Sequence, residues 1–464
     1  MNLETIFFAV LLIPVLMIAG KFIRRNIPWL QRLFLPSSIV AGALALLLGP
    51  QGIGRLFDEA SAWSHGLWPE DVLTVWTSLP GLLIDVVFAS LFLGKSIPGI
   101  RLIWKSAGPM VVHGQTLAWG QYVVGLALVV FLLTPFWEMN PMAGALIEIG
   151  FEGGHGTAAG LADTFRELGF SDGADLALGL ATIGVVMGVL LGTVAINWAV
   201  WKGHISKPQE VDTNKNGEDL AEHENREEVV ETHYQDKSIE PLSIHLGLIG
   251  VAIGLGWGLQ EGLIWIERVA LIPLGWPELM THIPRFPLAM IGGVLVQMLG
   301  GKLGYARLVD RKLMNRVSGT SLDLLIVAAL ASLSLEAIGA HAIPFLLLAA
   351  GGVLWNLFGF FVLAPRIFRK DWVPNGLANF GQGMGMTVVG LLLIRMSDPH
   401  GRSDAMEAFG YKQLLFEPIV GGGLFTAASV PLIAEFGAWP VLIGTTIVMA
   451  SWLGLGLWKF GPES

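Results

Sequence analysis

Two glycine-rich strings hold the residues whose types and spacing can do chemistry. The first, GFEGGHGTAAG at residues 150–160, sets Glu152, Gly153, Gly154, His155, Gly156 and Thr157 between two short apolar runs. The second, FGQGMGMT, places Gly381, Gln382, Gly383 and Gly385 ahead of Thr387. Glycine lets a backbone turn tightly and approach a ligand at little steric cost. A broken helix offers N–H groups and a positive dipole end to a carboxylate, and its freed carbonyls can hold Na⁺. These ten residues other than Glu152 are therefore the expected substrate contacts. An acid at mid-membrane costs about 3 kcal/mol on insertion scales, so Glu152 reads as a residue that holds Na⁺ or carries a proton, against the plainer reading of a structural carboxylate at a wet turn. His155 either caps the turn or meets the ligand, and Thr157 and Thr387 either cap a helix or bind substrate. Asn375 and Asn379 make the arm before Gly381 polar, as a water-facing wall would be. Asp85 is an expected member of an ion path, and Asp323 is read as interfacial. Ser90 and Ser332 are read either as oxygen ligands or as small packing residues.

The rest of the chain must place these strings inside a bilayer. Of 464 residues, 53% are hydrophobic and 14% charged, and the mean hydropathy is +0.63. That composition is more apolar and less charged than soluble domains show. The opening residues lack a basic leader and a small-residue cleavage site, so they read as a retained first span. The absence of cysteine excludes a disulfide framework and thiolate metal sites. Much of the net charge of −9 lies in residues 202–240, where eleven acidic and five basic residues cannot bury a core. This stretch is the expected cytoplasmic linker, 202–241, between two membrane halves.

A helix crossing the hydrocarbon needs roughly 20 apolar residues. Spans fall near 5–20, 34–48, 78–93, 109–133 and 176–201, then near 242–265, 286–299, 321–338, 344–363 and 414–433. A further apolar run at 439–458 has no counterpart. If the N-terminus lies outside, fifteen Lys and Arg fall in short inside loops: Lys21, Arg24, Arg25, Arg32, Lys95, Arg101, Lys105, Lys302, Arg307, Arg311, Lys312, Arg316, Arg366, Arg369 and Lys370. Against these, Arg55, Arg166 and Arg268 fall outside. The balance holds only if the interrupted stretches near 141–168 and 374–397 return to the side they came from, as re-entrant hairpins. Each arm of the first has about nine residues, or roughly 14 Å of helix, enough to reach the midplane.

Five crossings per half invert the second half relative to the first. Pro36, Gly42 and Gly49 share their spacing with Pro287, Gly293 and Gly300, and Ala89-Ser90-Leu91 echoes Ala331-Ser332-Leu333. The predicted fold is all-α and integral to the membrane. It comprises an N-terminal repeat (1–201), a C-terminal repeat (242–435) of inverted topology, each with five spans and a hairpin, and one extra helix in 436–464. Inverted repeats with broken helices meeting near the midplane are the arrangement in which secondary transporters bind substrate and ion.

At GGHGT (153–157), the GxGxGxT string (381–387) and the span after each hairpin, the chain resembles the sodium/glutamate symporter family. In layout it is more distantly similar to the bacterial citrate/sodium symporters. The resemblance extends to about residue 433. It implies Na⁺-coupled uptake of an acidic amino acid, a homodimer in the inner membrane, and an elevator-like movement of a hairpin-bearing domain against a dimerising scaffold. The chain departs from the family pattern at Glu152, where a small residue is usual, and at Val388-Val389, where Pro-Thr is usual. The extra span places the C-terminus inside, with the linker. Expected partners are an acidic amino acid or organic acid, Na⁺, lipid and a second copy of the chain, with no nucleic acid and no cofactor beyond the coupling ion. A proton-coupled or exporting carrier for another organic acid fits the same pattern. An intramembrane enzyme or haem carrier using His113, His155 and His341 is the remote alternative, since no HExxH motif or paired histidine spacing is present.

Overall fold

The computed structural model describes residues 2–32, 35–57, 64, 66–95, 97–205, 240–305 and 309–461. Most of the expected linker, residues 206–239, lies outside the described residues, as does Arg307. The described residues are helical, without strands, and eleven helices are long and apolar enough to cross a membrane. The chain is a multi-pass, all-α membrane protein.

Local chemistry explains where these helices begin. Asn2 and Asp310 accept hydrogen bonds from the backbone N–H groups of Glu4 and Lys312, satisfying donors that a first helical turn leaves free. Pro241 and Pro287 stand in first turns, where a missing N–H costs nothing. Helices Glu70–Ser90 and Arg311–Ala331 start well before the expected 78 and 321. Their polar first turns, with Glu70 and Asp71 in one and Arg311 and Lys312 in the other, escape a reading by apolar runs.

The second interrupted stretch has its expected break, and one expected span changes. The stretch Trp372–Ser397 has the length of a crossing helix, yet its backbone leaves helical geometry at Gly385 and Met386. The expected tenth span at 414–433 is broken into Ala405–Phe416 and Leu424–Phe436, with Gly421 (φ 71°) and Gly422 (φ 98°) between them. Pro418 and three consecutive glycines cannot sustain a helix there, although a hydropathy window scores them as neutral.

The buried side chains fall into several clusters, with reciprocal contacts between the two halves of the chain. Ala9, Ile13, Val75, Trp76, Val327 and Ala328 form a core apart from the main one, and the Trp76 indole N–H donates to the Ala9 carbonyl at 2.9 Å. Gly42 packs on Leu330, and Gly293 packs on the Ala89 carbonyl, so the second helix of each half meets the third helix of the other. The main core holds helices Ile100–Leu128, Gly173–Trp201 and Ala342–Phe358 around the two glycine strings. Ile100–Leu128 and Ala342–Phe358 each end in a five-residue π-helical turn, Val129–Leu133 and Gly359–Leu363. Short helices with a proline in the first turn follow, then a left-handed residue, Glu138 (φ 52°) or Asp371 (φ 48°), before the chain enters the glycine-rich segment.

Candidate functional site

The first string breaks the helix. Helix Leu146–Phe151 ends where the N–H groups of Glu152 and Gly153 both donate to the Glu148 carbonyl, at 3.0 and 2.9 Å. Gly154 then takes φ +73°, a conformation that suits glycine, and Gly154–Gly160 begins the return. The Thr157 hydroxyl donates to the Gly153 carbonyl at 3.0 Å, so it closes this turn. The outgoing arm lies on Gly173–Trp201, where a Cβ on Gly150 would sit 2.8 Å from the Ala177 carbonyl oxygen. The returning arm lies on Ile84 and Leu322 through Gly156.

The second string does the same. Gly385 (φ −154°, ψ 46°) and Met386 (φ 61°, ψ −178°) turn the backbone. A Cβ on Gly381 would lie 2.7 Å from the Gly390 Cα, and one on Gly390 would lie 2.6 Å from the Ala378 carbonyl oxygen, so the two arms run side by side. The Gly383 carbonyl accepts from the Gln121 and Asn356 side-chain amides at 2.7 and 3.0 Å.

The two turns touch. A Cβ on Gly154 would lie 2.0 Å from Met386 Sδ, and one on Gly184 would lie 2.1 Å from the Met384 carbonyl oxygen. The break at 417–423 closes the site from a third side. There the buried carboxylate of Glu148 accepts from the Gly421 N–H (2.7 Å), the Thr426 hydroxyl (2.9 Å) and the Tyr122 hydroxyl (2.5 Å). These bonds tie the first turned-back segment to the broken tenth span. Gln413 donates to Gln382 Oε1 (2.9 Å) and Thr387 Oγ1 (3.0 Å), and Thr387 donates to Glu417 at 3.3 Å. The ammonium of Lys412, fully buried, donates to Asn379 Oδ1 (2.9 Å) and Gln382 Oε1 (2.8 Å) and sits 3.7 Å from the Phe416 ring centroid.

Around this junction six buried side-chain atoms have no hydrogen-bond partner among the described residues: Gln121 Oε1, Glu152 Oε2, His155 Nδ1, Asn356 Oδ1, Gln413 Oε1 and Glu417 Oε2. Buried polar atoms are normally satisfied, so such a cluster marks a place for water, ion or substrate. Five of the six can only accept, which favours a cation or a donor-rich ligand.

Of the expected site residues, the structure brings together Glu152, Gly153, Gly154, Gly381, Gln382, Gly383, Gly385, Thr387 and Asn379. His155 and Gly156 continue the returning arm. His155 faces Thr182 through Nε2 at 3.0 Å, leaving Nδ1 free. The third-span residues stand elsewhere. Ser90 and Ser332 donate to carbonyls of their own helices, which is the packing reading. Asp85 points to Arg285, with 3.9 Å between Oδ2 and Nε. Half-buried Asn375 donates to the Asp371 carbonyl at 3.0 Å. His113 meets the Gly359 carbonyl and Asn379, and His341 meets Asp172, so the three histidines of the haem alternative do not converge. Glu148, Lys412, Gln413 and Glu417 were not anticipated. Their signal was present as ionisable or amide side chains inside or beside apolar runs.

With this geometry in place, comparison with known proteins decides the family. The family model for "Sodium/glutamate symporter" matches residues 1–389. The chain belongs to the sodium/glutamate symporter family. That membership makes it a transporter and removes the enzyme alternative. The sodium/glutamate symporter of Escherichia coli (strain K12) is 23% identical over 436 residues, covering 92% of this chain and 96% of that protein. The sodium/glutamate symporter of Haemophilus influenzae is 24% identical over 331 residues, covering 69% of this chain and 75% of that protein. Among solved structures, the sodium proton antiporter MjNhaP1 from Methanocaldococcus jannaschii aligns over 99% of this chain and 100% of its own at 14% identity, with a TM-score of 0.26. That likeness is too slight to bear on the fold.

Proposed function

We propose that the chain is a secondary active transporter that couples uptake of glutamate, or a related acidic amino acid, to Na⁺ by an elevator-like movement. The relatives and the family supply the substrate and the ion. The observation that carries the reading to this chain is the contact of two turned-back tips, Gly154 and Met386, beside six unpartnered buried polar atoms. Both turns are taken as re-entrant hairpins of inverted repeats, 1–201 and 242–435. The reciprocal packing of Gly42 and Gly293 supports this assignment. The tip glycines and Thr387 are assigned to substrate, and Glu152, Asn379 and freed carbonyls to Na⁺.

The core around Trp76, with a second small core that joins Ala89 and Leu93 to Ile249, Ala252, Ala289 and Met314, supports a scaffold built from the first three helices of each half, against which the hairpin body moves. A homodimer is supported by Gly250, Gly254, Gly258 and Gly262 on helix Pro241–Ile266, spaced four apart with nothing within 4 Å of a built Cβ, a face that suits close helix approach. The loop charges support an inner-membrane orientation with the N-terminus outside and the linker and C-terminus inside.

The charge balance sets the coupling. An inside-negative potential opposes import of a net anion by roughly 2.3 kcal/mol per charge per 100 mV, and each Na⁺ gains about the same, so voltage-driven uptake requires at least two cations. Uptake of labelled L-glutamate into proteoliposomes should rise when external Na⁺ replaces K⁺ or choline. Equal uptake in all three media refutes the proposal. The unpartnered Glu152 Oε2 favours a second reading, proton coupling, which predicts uptake driven by a pH gradient without Na⁺.

A further inference from the structure

Lys412 is a fully buried cation in the site. Cations inside membrane-spanning segments are rare and pair with other charges or with backbone carbonyls. Here its nearest groups are neutral: two amide oxygens at 2.8 and 2.9 Å and the face of Phe416. No carboxylate lies within 4.0 Å of its nitrogen among the described residues, while Glu152 and Glu417 act on it from further away. Its stem lies against Gly114 of helix Ile100–Leu128, where a Cβ would come within 2.6 Å of Cε. His113, beside Gly114, reaches the same cage through Asn379. An ammonium held by amide oxygens and a ring face, with two carboxylates in a second layer, has the surroundings of a bound monovalent cation, except that this cation is attached to the chain.

We propose that Lys412 is a tethered cation filling a monovalent-cation site formed by Asn379, Gln382 and the Phe416 ring, so that this carrier supplies one positive charge itself instead of binding one more Na⁺. The proposal rests on the Na⁺-coupled reading above. The tethered charge travels with the hairpin and returns with it, adding nothing to the ions moved per cycle. Truncation to alanine leaves the oxygens of Asn379 and Gln382 facing a space vacated by three methylenes and an ammonium, under the field of Glu152 and Glu417.

The test compares wild type with Lys412→Ala in detergent, scoring ²²Na⁺ bound per chain and the melting temperature in NaCl against choline chloride. Lys412→Ala is expected to bind one more Na⁺ per chain than wild type. One added linked ion makes the apparent L-glutamate affinity change about tenfold more for each tenfold change in Na⁺. Should the variant be unstable in choline, Na⁺ must restore its folding, whereas Lys412→Met, whose side chain still fills the space, must gain neither Na⁺ binding nor rescue. Equal ²²Na⁺ stoichiometry in the folded variant, or instability that Na⁺ does not relieve, overturns the proposal. Failure of the underlying reading has a different signature, since wild type would then show no Na⁺ dependence of glutamate-induced stabilisation.

Discussion

Replacing Gly154 by alanine imposes two separable costs. The first is conformational: at φ +73° an L-residue with a Cβ is less stable by roughly 1–2 kcal/mol. The second is steric, because the new carbon would sit 2.0 Å from Met386 Sδ and 2.4 Å from its Cγ. Both separations are far below contact distance, so Met386 must swing out of the junction, at about 1–3 kcal/mol as for other overpacked sites. Met386→Gly removes the obstructing side chain and also places glycine at φ 61°, where glycine is favoured. In the double variant the steric cost disappears and the conformational cost at residue 154 remains. The two substitutions should therefore couple by about 1–3 kcal/mol in a double-mutant cycle, measured on detergent-purified protein through denaturation midpoints and apparent L-glutamate affinity. Residues that do not touch add within about 0.3–0.5 kcal/mol. Additive behaviour within that range in both readouts would mean that the turns do not meet, and the site as described would not exist.

Two further outcomes follow from the same geometry. Glu148→Ala strips Tyr122, Gly421 and Thr426 of their common acceptor and should cost about 1–3 kcal/mol for each buried donor left unsatisfied, whereas Glu148→Gln should retain more stability; thermal denaturation ranks the two. Trp76→Phe removes the indole donor to the Ala9 carbonyl and should cost about 1–3 kcal/mol of stability. Because that core lies apart from the site, its L-glutamate affinity by titration should match wild type, and a tenfold loss would contradict the separation of the two bodies.

The backbone of the site was legible in the amino-acid sequence because a glutamate, a histidine and runs of glycine at membrane depth admit few structures. A chain that leaves helical geometry in hydrocarbon must bury its freed peptide groups in protein or face a wet cavity. That argument located both turns, although in the second the strained position falls on Met386 and not on one of the glycines. The break at 417–423 was hidden for the opposite reason: glycine lowers a hydropathy average only slightly, so GGG at 421–423 disappears inside an apolar window. The polar partners were illegible on different grounds. Glu148 finds Gly421 and Thr426 more than 270 positions away, and Lys412 finds Asn379 and Gln382 across a turn and a helix boundary. No local spacing rule reaches that far.

Repeat logic misled where it was carried from backbone to side chain. Ser90 and Ser332 occupy matching places in the two halves, and both spend their hydroxyls on carbonyls of their own helices. The groups that converge on the junction have no such correspondence: Glu148 and Glu152 come from the first turn, Lys412, Gln413 and Glu417 from the broken tenth span, and the fifth span opposite it, Gly173–Trp201, runs unbroken. Paired backbone breaks let the two glycine strings meet at Gly154 and Met386. Substrate and ion are asymmetric, so the charges that select them must come from positions the halves do not share. The residues that set selectivity in this chain are therefore to be sought where the two halves differ, and buried Glu148, Glu152 and Lys412 are such places.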